Sequence, residues 1–144
     1  MINKAIGAAL LSACLNVQAA PLSNRQVVLE FIHLAFTEKQ LRPAFERYVA
    51  PSYIQHNPNA PDGTVAAIQF LEGFQQQFPD ARYDVQRVAS EDDLVFVHVH
   101  ARTSADDPGI AVVDIFRLEN GRIAEHWDVL QPVPEKSVSA HPLF

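Results

Sequence analysis

One stretch of the sequence, residues 112–131, constrains the fold more than any other because it has the pattern of a β-hairpin. Its centre, Asn120-Gly121, suits a type I′ turn, which requires positive φ at both central residues. If these two residues form the loop, Glu119 pairs with Arg122 and the other pairs follow from that register. Strand residues alternate between faces, so one face is predicted to carry Asp114, Phe116, Leu118, Ile123, Glu125 and Trp127.

Four of those six side chains are large and apolar, which predicts that this face is the inner one. Two carboxylates, Asp114 and Glu125, would then lie among core residues beside Trp127. In the same register His126 and Asp128 take the outer face. A β-bulge in the hairpin would reverse that assignment.

The first 19 residues are predicted to be an export signal that is removed from the folded domain. Lys4 gives a positive start, residues 5–11 give a short apolar stretch, and residues 17–19 form a small-residue cleavage site. The segment is too short for a membrane span, which needs about 20 apolar residues. A lipoprotein signal that ends before Cys14 and an ordinary N-terminal helix are the alternatives. The sequence thus predicts a periplasmic or secreted protein, or else a membrane-anchored lipoprotein.

Residues 20–144 have the length of one ordinary domain. A hydrophobic content of 48% is enough for a sizeable core, and a net charge of −6 without a basic run disfavours nucleic acid as a partner. Cys14 is the only cysteine, so the mature domain has no disulfide framework and no thiol nucleophile.

The order of predicted elements is three helices followed by strands in a meander. Apolar residues recur with helical spacing over residues 22–40, 41–49 and 64–78. Residues 52–63 are predicted to be a loop because of their prolines, and the strands are predicted over residues 82–89, 94–103 and the hairpin. Besides the hairpin residues, the predicted core contains Phe31, Ile68, Leu71, Phe74 and Phe96. This order is typical of the α+β class, with helices covering one face of the sheet, and an extended tail begins at about residue 132.

The hairpin and one loop resemble a known family. The run Asp-Ile-Phe-Arg, a turn ending in Gly-Arg-Ile, and then Glu-His-Trp-Asp resembles the closing hairpin of SnoaL-like proteins. These are the polyketide-cyclase branch of the nuclear-transport-factor-two-like superfamily. Residues 53–58, Tyr-Ile-Gln-His-Asn-Pro, resemble a second family segment, and the resemblance spans residues 22–135.

The resemblance implies a cone-shaped α+β barrel with a deep pocket, often assembled as a homodimer through the outer sheet face. It also implies that a pocket aspartate acts as general acid and base in an intramolecular aldol cyclisation, without metal or cofactor. Asp114 matches that aspartate by its position in the motif. The superfamily also contains isomerases, dehydratases, hydrolases and binding proteins, so the fold does not decide the reaction.

Proton abstraction next to a carbonyl needs a base whose pKa lies near the working pH, and burial raises the pKa of a carboxylate. Asp114 on the apolar face fits this role, and His100 and His56 are predicted as its catalytic partners. Each of the three has a structural alternative, as a backbone acceptor or as a core or surface histidine. The predicted substrate contacts are Tyr53, Asn57, His98, Phe116, Glu125, His126, Trp127 and Asp128. The histidine spacing matches no helical metal motif, so no metal ligand is predicted.

Two classes of function follow from the sequence. The first is a cofactor-independent lyase, cyclase or isomerase that acts on a small apolar carbonyl compound. The second is a secreted protein that binds a small ligand without chemistry. The predicted export signal favours this second class or a role in detoxification.

Overall fold

A computed structural model describes residues 20–144, along which two helices, one strand, a third helix and four further strands follow one another. The first strand thus departs from the predicted order of three helices before all strands. The predicted export signal and Cys14 lie outside the described residues. The helices are α1 (Asn24–Ile32), α2 (Leu41–Tyr48) and α3 (Thr64–Gln77), and a π-helical turn, His33–Thr37, continues α1. The strands are β1 (Val49–Gln55), β2 (Arg82–Glu91), β3 (Leu94–Arg102), β4 (Ile110–Glu119) and β5 (Arg122–Pro132).

The start of α1 is fixed by a capping box. The Ser23 hydroxyl accepts a hydrogen bond from the backbone of Gln26, whose side chain accepts one in return from the backbone of Ser23. Both exchanges satisfy N–H groups that the helix itself leaves without partners. The helix can therefore begin beside the sheet and bury one face, formed by Val27, Val28, Phe31 and Ile32.

The five strands form one sheet in the order β1-β5-β4-β3-β2. β1 runs parallel to β5, and the other neighbours are antiparallel. The predicted α+β class is confirmed, although the sheet is not closed and has one strand more than the predicted meander. Residues 52–55 belong to β1 rather than to a loop. Pro51 lies within this strand because β1 is at the sheet edge, where a missing N–H is tolerated.

The hairpin turn is confirmed, but the predicted register holds for only two pairs. Asn120 and Gly121 have φ values of 51° and 73°, and Glu119 and Leu118 pair with Arg122 and Ile123 as expected. The register then shifts, so that Arg117 faces Glu125. One additional residue of β5 is accommodated there as a β-bulge, and Ile123 and Ala124 are both buried.

Because of the bulge, the side chains of β5 beyond it lie on the faces opposite to those predicted. Asp114 faces Asp128, Phe116 faces His126, and Ile115 faces Trp127 across the hairpin. His126 and Asp128 therefore lie on the inner face together with Asp114. Glu125 and Trp127 lie on the outer face, contrary to the prediction.

The helices pack on the inner face of the sheet around three valines of β3, Val95, Val97 and Val99, each with no exposed surface. Of the predicted core residues, Phe31, Phe116, Leu118 and Ile123 are buried.

The remaining predicted core residues are less buried than expected. Ile68 and Leu71 are partly buried, and Phe74 is 39% exposed because α3 covers a cavity instead of packing directly on the sheet. Phe96 is on the outer face of β3, where it is half-buried, as is Trp127 on β5. No helix within residues 20–144 is both long enough and apolar enough to cross a membrane.

The corrected register makes a prediction about stability. Ile123→Ala removes a side chain that is 1% exposed and should lower the free energy of unfolding by about 2–5 kcal/mol. Trp127→Ala should lower it by less, because the indole ring lies on the outer face of the sheet. Urea denaturation of both variants measures the difference. A larger loss for Trp127→Ala than for Ile123→Ala would contradict the assignment of faces.

Candidate active site

A cavity of about 440 Å³ lies between the helices and the inner face of the sheet. Its wall is largely aromatic and includes Phe31, Phe36, Phe45, Phe70, Phe74 and Phe78. Cavities of this size and lining are typical of sites for small molecules. Phe70 and Phe74 are 46% and 39% exposed, so the α3 side of the cavity presents apolar surface that a ligand could cover.

Asp114 lies on the inner face of β4 and lines this cavity. It is the one charged residue that is buried among residues 20–144, with 3% of its surface exposed. The hydroxyl of Tyr83 donates a hydrogen bond to its Oδ2, and Nε2 of His126 lies 3.0 Å from its Oδ1. The carboxylate is thus held between a phenol and an imidazole in an apolar surrounding, where hydrogen bonds are stronger than in water.

β1 supplies a second layer of polar contacts because it pairs with β5. Gln55 is the register partner of His126, and its Oε1 lies 2.9 Å from Nδ1 of the imidazole. The amide nitrogen of Gln55 donates to the hydroxyl of Tyr53 at 2.9 Å. Asn57, just beyond the strand, donates to Oδ2 of Asp128 at 2.5 Å. The polar side chains around Asp114 are therefore held in place by neighbours on β1 and in the segment that follows it.

The two tyrosines of the cavity are held in their protonated form. Burial raises the pKa of Tyr53, and the charges of Asp114 and Asp128 raise it further. Burial also raises the pKa of Tyr83, with a further contribution from Asp114. Both hydroxyls thus remain hydrogen-bond donors throughout the physiological pH range.

The π-helical turn positions Tyr83. Phe36, within this turn, stacks on the Tyr83 ring with centroids 4.5 Å apart and an angle of 21° between the planes. π-helical turns are rare and occur frequently at functional sites. Here the turn places an aromatic ring against the tyrosine that donates to Asp114.

One group of residues brings together atoms of the type that bind metal ions. Single ligand atoms of Asp114, His126 and Asp128 lie within 4.8 Å of one another. Mixed imidazole and carboxylate ligands suit several divalent cations. Hydrogen bonds to Asp114 and from Asn57 already account for the positions of His126 and Asp128.

Six of the predicted site residues meet in the cavity. They are Tyr53, Asn57, Asp114, Phe116, His126 and Asp128. Three further residues that contact them, Gln55, Tyr83 and Phe36, were not predicted. Gln55 belongs to a segment that the family resemblance includes, so its position in the motif was the available signal. For Tyr83 the only signal in the sequence was its place in a predicted strand. The stacking of Phe36 depends on a π-helical turn, which helical spacing does not reveal.

His100, predicted as a catalytic partner, and His98, predicted as a substrate contact, do not line the cavity. The two residues do share a strand face, but alternation along β3 directs its three buried valines inward and both imidazoles outward. Nε2 of His100 lies 2.8 Å from the carbonyl oxygen of Pro108, and its ring stacks on Phe144 at 4.0 Å.

His56, Glu125 and Trp127 also lie outside the cavity, contrary to the prediction. The His56 ring stacks on Trp127 with centroids 4.3 Å apart, and its Nε2 lies 2.8 Å from Oε2 of Glu125. Arg117 binds Oε1 of the same carboxylate at 2.6 Å. These four residues form an outer cluster, and its existence follows from the bulge that places Glu125 beside Arg117.

The outer cluster makes stability depend on pH. His56 and, to a lesser extent, Arg117 lower the pKa of Glu125 from its ordinary value of 4.5. The stabilisation is complete above 4.5 and is lost as pH falls through the lowered pKa of the folded state. Glu125→Gln should therefore lower the melting temperature at neutral pH and reduce its fall upon acidification below 4.5.

The matched control for this measurement is Glu119→Gln. Glu119 is 61% exposed and 3.8 Å from Arg117, so its removal should change the acid limb little. Equal acid limbs for the wild type and Glu125→Gln would show that the outer cluster does not carry this pH dependence.

Comparison with known proteins identifies the family of the chain and several solved structures with a similar fold. Residues 28–126, more than half of the chain, match the model of a SnoaL-like domain. A search of curated proteins gave no match.

Solved structures show the same fold. An NTF2-like protein of unknown function from Cytophaga hutchinsonii is 22% identical, with a TM-score of 0.65 over 80% of this chain and 96% of that one. An inferred polyketide cyclase from Acidithiobacillus ferrooxidans is 18% identical, with a TM-score of 0.63 over 78% and 91%. An inferred isomerase of the SnoaL-like family from Agrobacterium tumefaciens is 16% identical, with a TM-score of 0.63 over 76% and 99%. At these identities the likeness is one of fold.

Proposed function

The chain belongs to the SnoaL-like domain family, and from this premise we propose that it catalyses acid/base chemistry on a small apolar carbonyl compound. Asp114 is the proton-transferring group, and His126 and Tyr83 are its partners. The observation that carries the proposal is a buried carboxylate, bonded to both a phenol and an imidazole, in an apolar cavity. Groups of this kind are typical of general acid/base sites.

The proposed reaction begins from the state in which His126 carries the proton that lies between the two side chains, so that Asp114 is a carboxylate. This carboxylate takes a proton from the carbon next to the carbonyl. The electron pair of that C–H bond moves toward the carbonyl oxygen and forms an enolate. The Tyr53 hydroxyl accepts from Gln55, and its own proton has no acceptor recorded within residues 20–144, so it can donate to this oxygen.

Two outcomes return the proton and complete the cycle. In an isomerisation, the pair delivers it to a different carbon of the enolate. In an aldol cyclisation, the enolate carbon attacks a second carbonyl of the same molecule, and the proton goes to the new alkoxide. The inferred cyclase and isomerase among the structural neighbours are compatible with either course. Both courses use only side chains of the chain itself.

Binding without chemistry is the second candidate function. It is supported by the large apolar area of the cavity and by the predicted export signal, since polyketide tailoring is an intracellular process. In that case Asp114 and His126 would orient a carbonyl or hydroxyl group of the ligand.

From the resemblance to the SnoaL-like family we also propose that the protein forms a homodimer through the outer face of the sheet. Val129 is 63% exposed on this face, and Trp127 beside it is half-buried. The two side chains provide apolar surface for such a contact.

Export is proposed from the sequence of residues 1–19. The mature protein should begin at Ala20 and should be found outside the cytoplasmic membrane. N-terminal sequencing of fractionated cells measures this directly. An acylated Cys14 would establish the lipoprotein alternative, and an intact Met1 on cytosolic protein would contradict both.

Asp114→Asn keeps the size of the side chain but removes its titrating proton. With a substrate in hand, this change should lower turnover by about 10²–10⁴, the usual contribution of a positioned acid or base. The matched control is Asp93→Asn in the turn between β2 and β3, where the carboxylate is 53% exposed and its removal should not affect turnover.

The substrate search starts from small molecules that co-purify with the protein and are identified by mass spectrometry. Near-normal turnover of the Asp114→Asn variant would remove Asp114 from the mechanism. A wild-type protein that binds its co-purified compound and converts neither it nor related carbonyl compounds would establish the binding function.

A further inference from the structure

The orientation of the Gln55 amide is fixed by a backbone group. The N–H of Asn57 lies 3.0 Å from Oε1 of Gln55, and a backbone N–H can only donate. At the other end of the amide, Nε2 donates to the Tyr53 hydroxyl at 2.9 Å. The atom of Gln55 that faces His126 is therefore the carbonyl oxygen, an acceptor.

This orientation determines where His126 carries its proton. Nδ1 of the imidazole lies 2.9 Å from Oε1 of Gln55, so Nδ1 must donate. A neutral imidazole has a single N–H, which leaves Nε2 without a proton. Nε2 is the nitrogen that lies 3.0 Å from Oδ1 of Asp114.

A bare nitrogen and a carboxylate oxygen repel each other at this distance, so one proton must lie between them. Either a neutral Asp114 donates to Nε2 or an imidazolium donates to the carboxylate. Tyr83 already occupies Oδ2 as a donor, which directs this proton to the Oδ1 side. The pair thus shares a single exchangeable proton at the cavity.

We propose that Gln55 is a positioning residue that locks the proton of His126 on Nδ1 and so keeps Nε2 available for the proton shared with Asp114. The significance of this lock rests on the proposed function, because the shared proton is the one that the reaction would move. Its existence is a property of the resting protein and needs no substrate.

Removal of the acceptor at position 55 should give the opposite tautomer of His126, and this change can be measured. If the acceptor is removed by Gln55→Met, the strongest acceptor near a neutral His126 is the carboxylate of Asp114. The imidazole proton should then move to Nε2, which donates to Oδ1. Gln55→Met should therefore exchange the protonated and the bare nitrogen of His126 relative to the wild type.

The test uses the full mature chain labelled with ¹⁵N at histidine. Correlation of the ring protons with both ring nitrogens, recorded over a pH titration with a chelator present, reports the protonation of each nitrogen. The His126 signals are assigned by their loss in His126→Gln. In the wild type we expect a protonated Nδ1 in the neutral ring, and in Gln55→Met a protonated Nε2.

Two variants serve as controls. Gln55→Glu keeps an acceptor at this position and should restore the proton to Nδ1. Gln75→Met makes the same substitution elsewhere in the cavity wall, where the side chain donates to the carbonyl oxygen of Ala35, and should leave the His126 signature unchanged. Loss of packing alone would alter Gln75→Met and Gln55→Met alike.

Two results would overturn the proposal: a wild-type ring that carries a proton on Nε2 and none on Nδ1, or an unchanged signature in Gln55→Met. If Gln55→Met fails to fold, the wild type and Gln55→Glu still decide the position of the proton. A confirmed lock together with unimpaired turnover of Asp114→Asn would refute the proposed function while leaving the role of Gln55 intact.

Discussion

The β-bulge at Ile123 and Ala124 determines which side chains of β5 face the cavity. Without the additional residue, β5 would direct Glu125 and Trp127 toward the helices and His126 toward solvent. With it, an imidazole comes within hydrogen-bond distance of a buried carboxylate that would otherwise lack a cationic or donor partner on β5. A buried carboxylate without partners is strongly disfavoured, so the bulge and the burial of Asp114 depend on each other.

The parallel pairing of β1 with β5 connects the side chains of the hairpin to the segment around residue 55. Neighbouring residues of β1 and its extension serve opposite faces: Gln55 binds His126 within the cavity, and His56 binds Glu125 outside it. The backbone N–H of His56 also donates to the carbonyl oxygen of His126. The inner polar contacts and the outer cluster are therefore joined through two adjacent peptide units, and the segment that carries Asn57 is held on both faces of the sheet.

The turn at Asn120-Gly121, the three helices and the inward position of Asp114 could be predicted because each rests on local pattern. The strand β1, which lies between α2 and α3, was predicted as a loop because its segment is rich in prolines. The faces of β5 could not be predicted, because the bulge at Ile123 and Ala124 leaves no signal in the alternation of apolar and polar residues. His100 was misassigned for a related reason. Both faces of β3 carry apolar residues, so alternation shows that His98 and His100 share a face but not which face is inside.

The apolar wall of the cavity explains why its few polar groups interact so strongly. The aromatic part of the lining offers no competing hydrogen bonds to the Tyr83 hydroxyl or to the proton between Asp114 and His126, so these bonds are stronger than they would be in water. A ligand that covers Phe70 and Phe74 would remove the remaining water and strengthen these contacts further. The exposed rings of α3 and the buried carboxylate of β4 line the same cavity, so a ligand bound there would complete the low-dielectric surrounding that the proposed proton transfer requires.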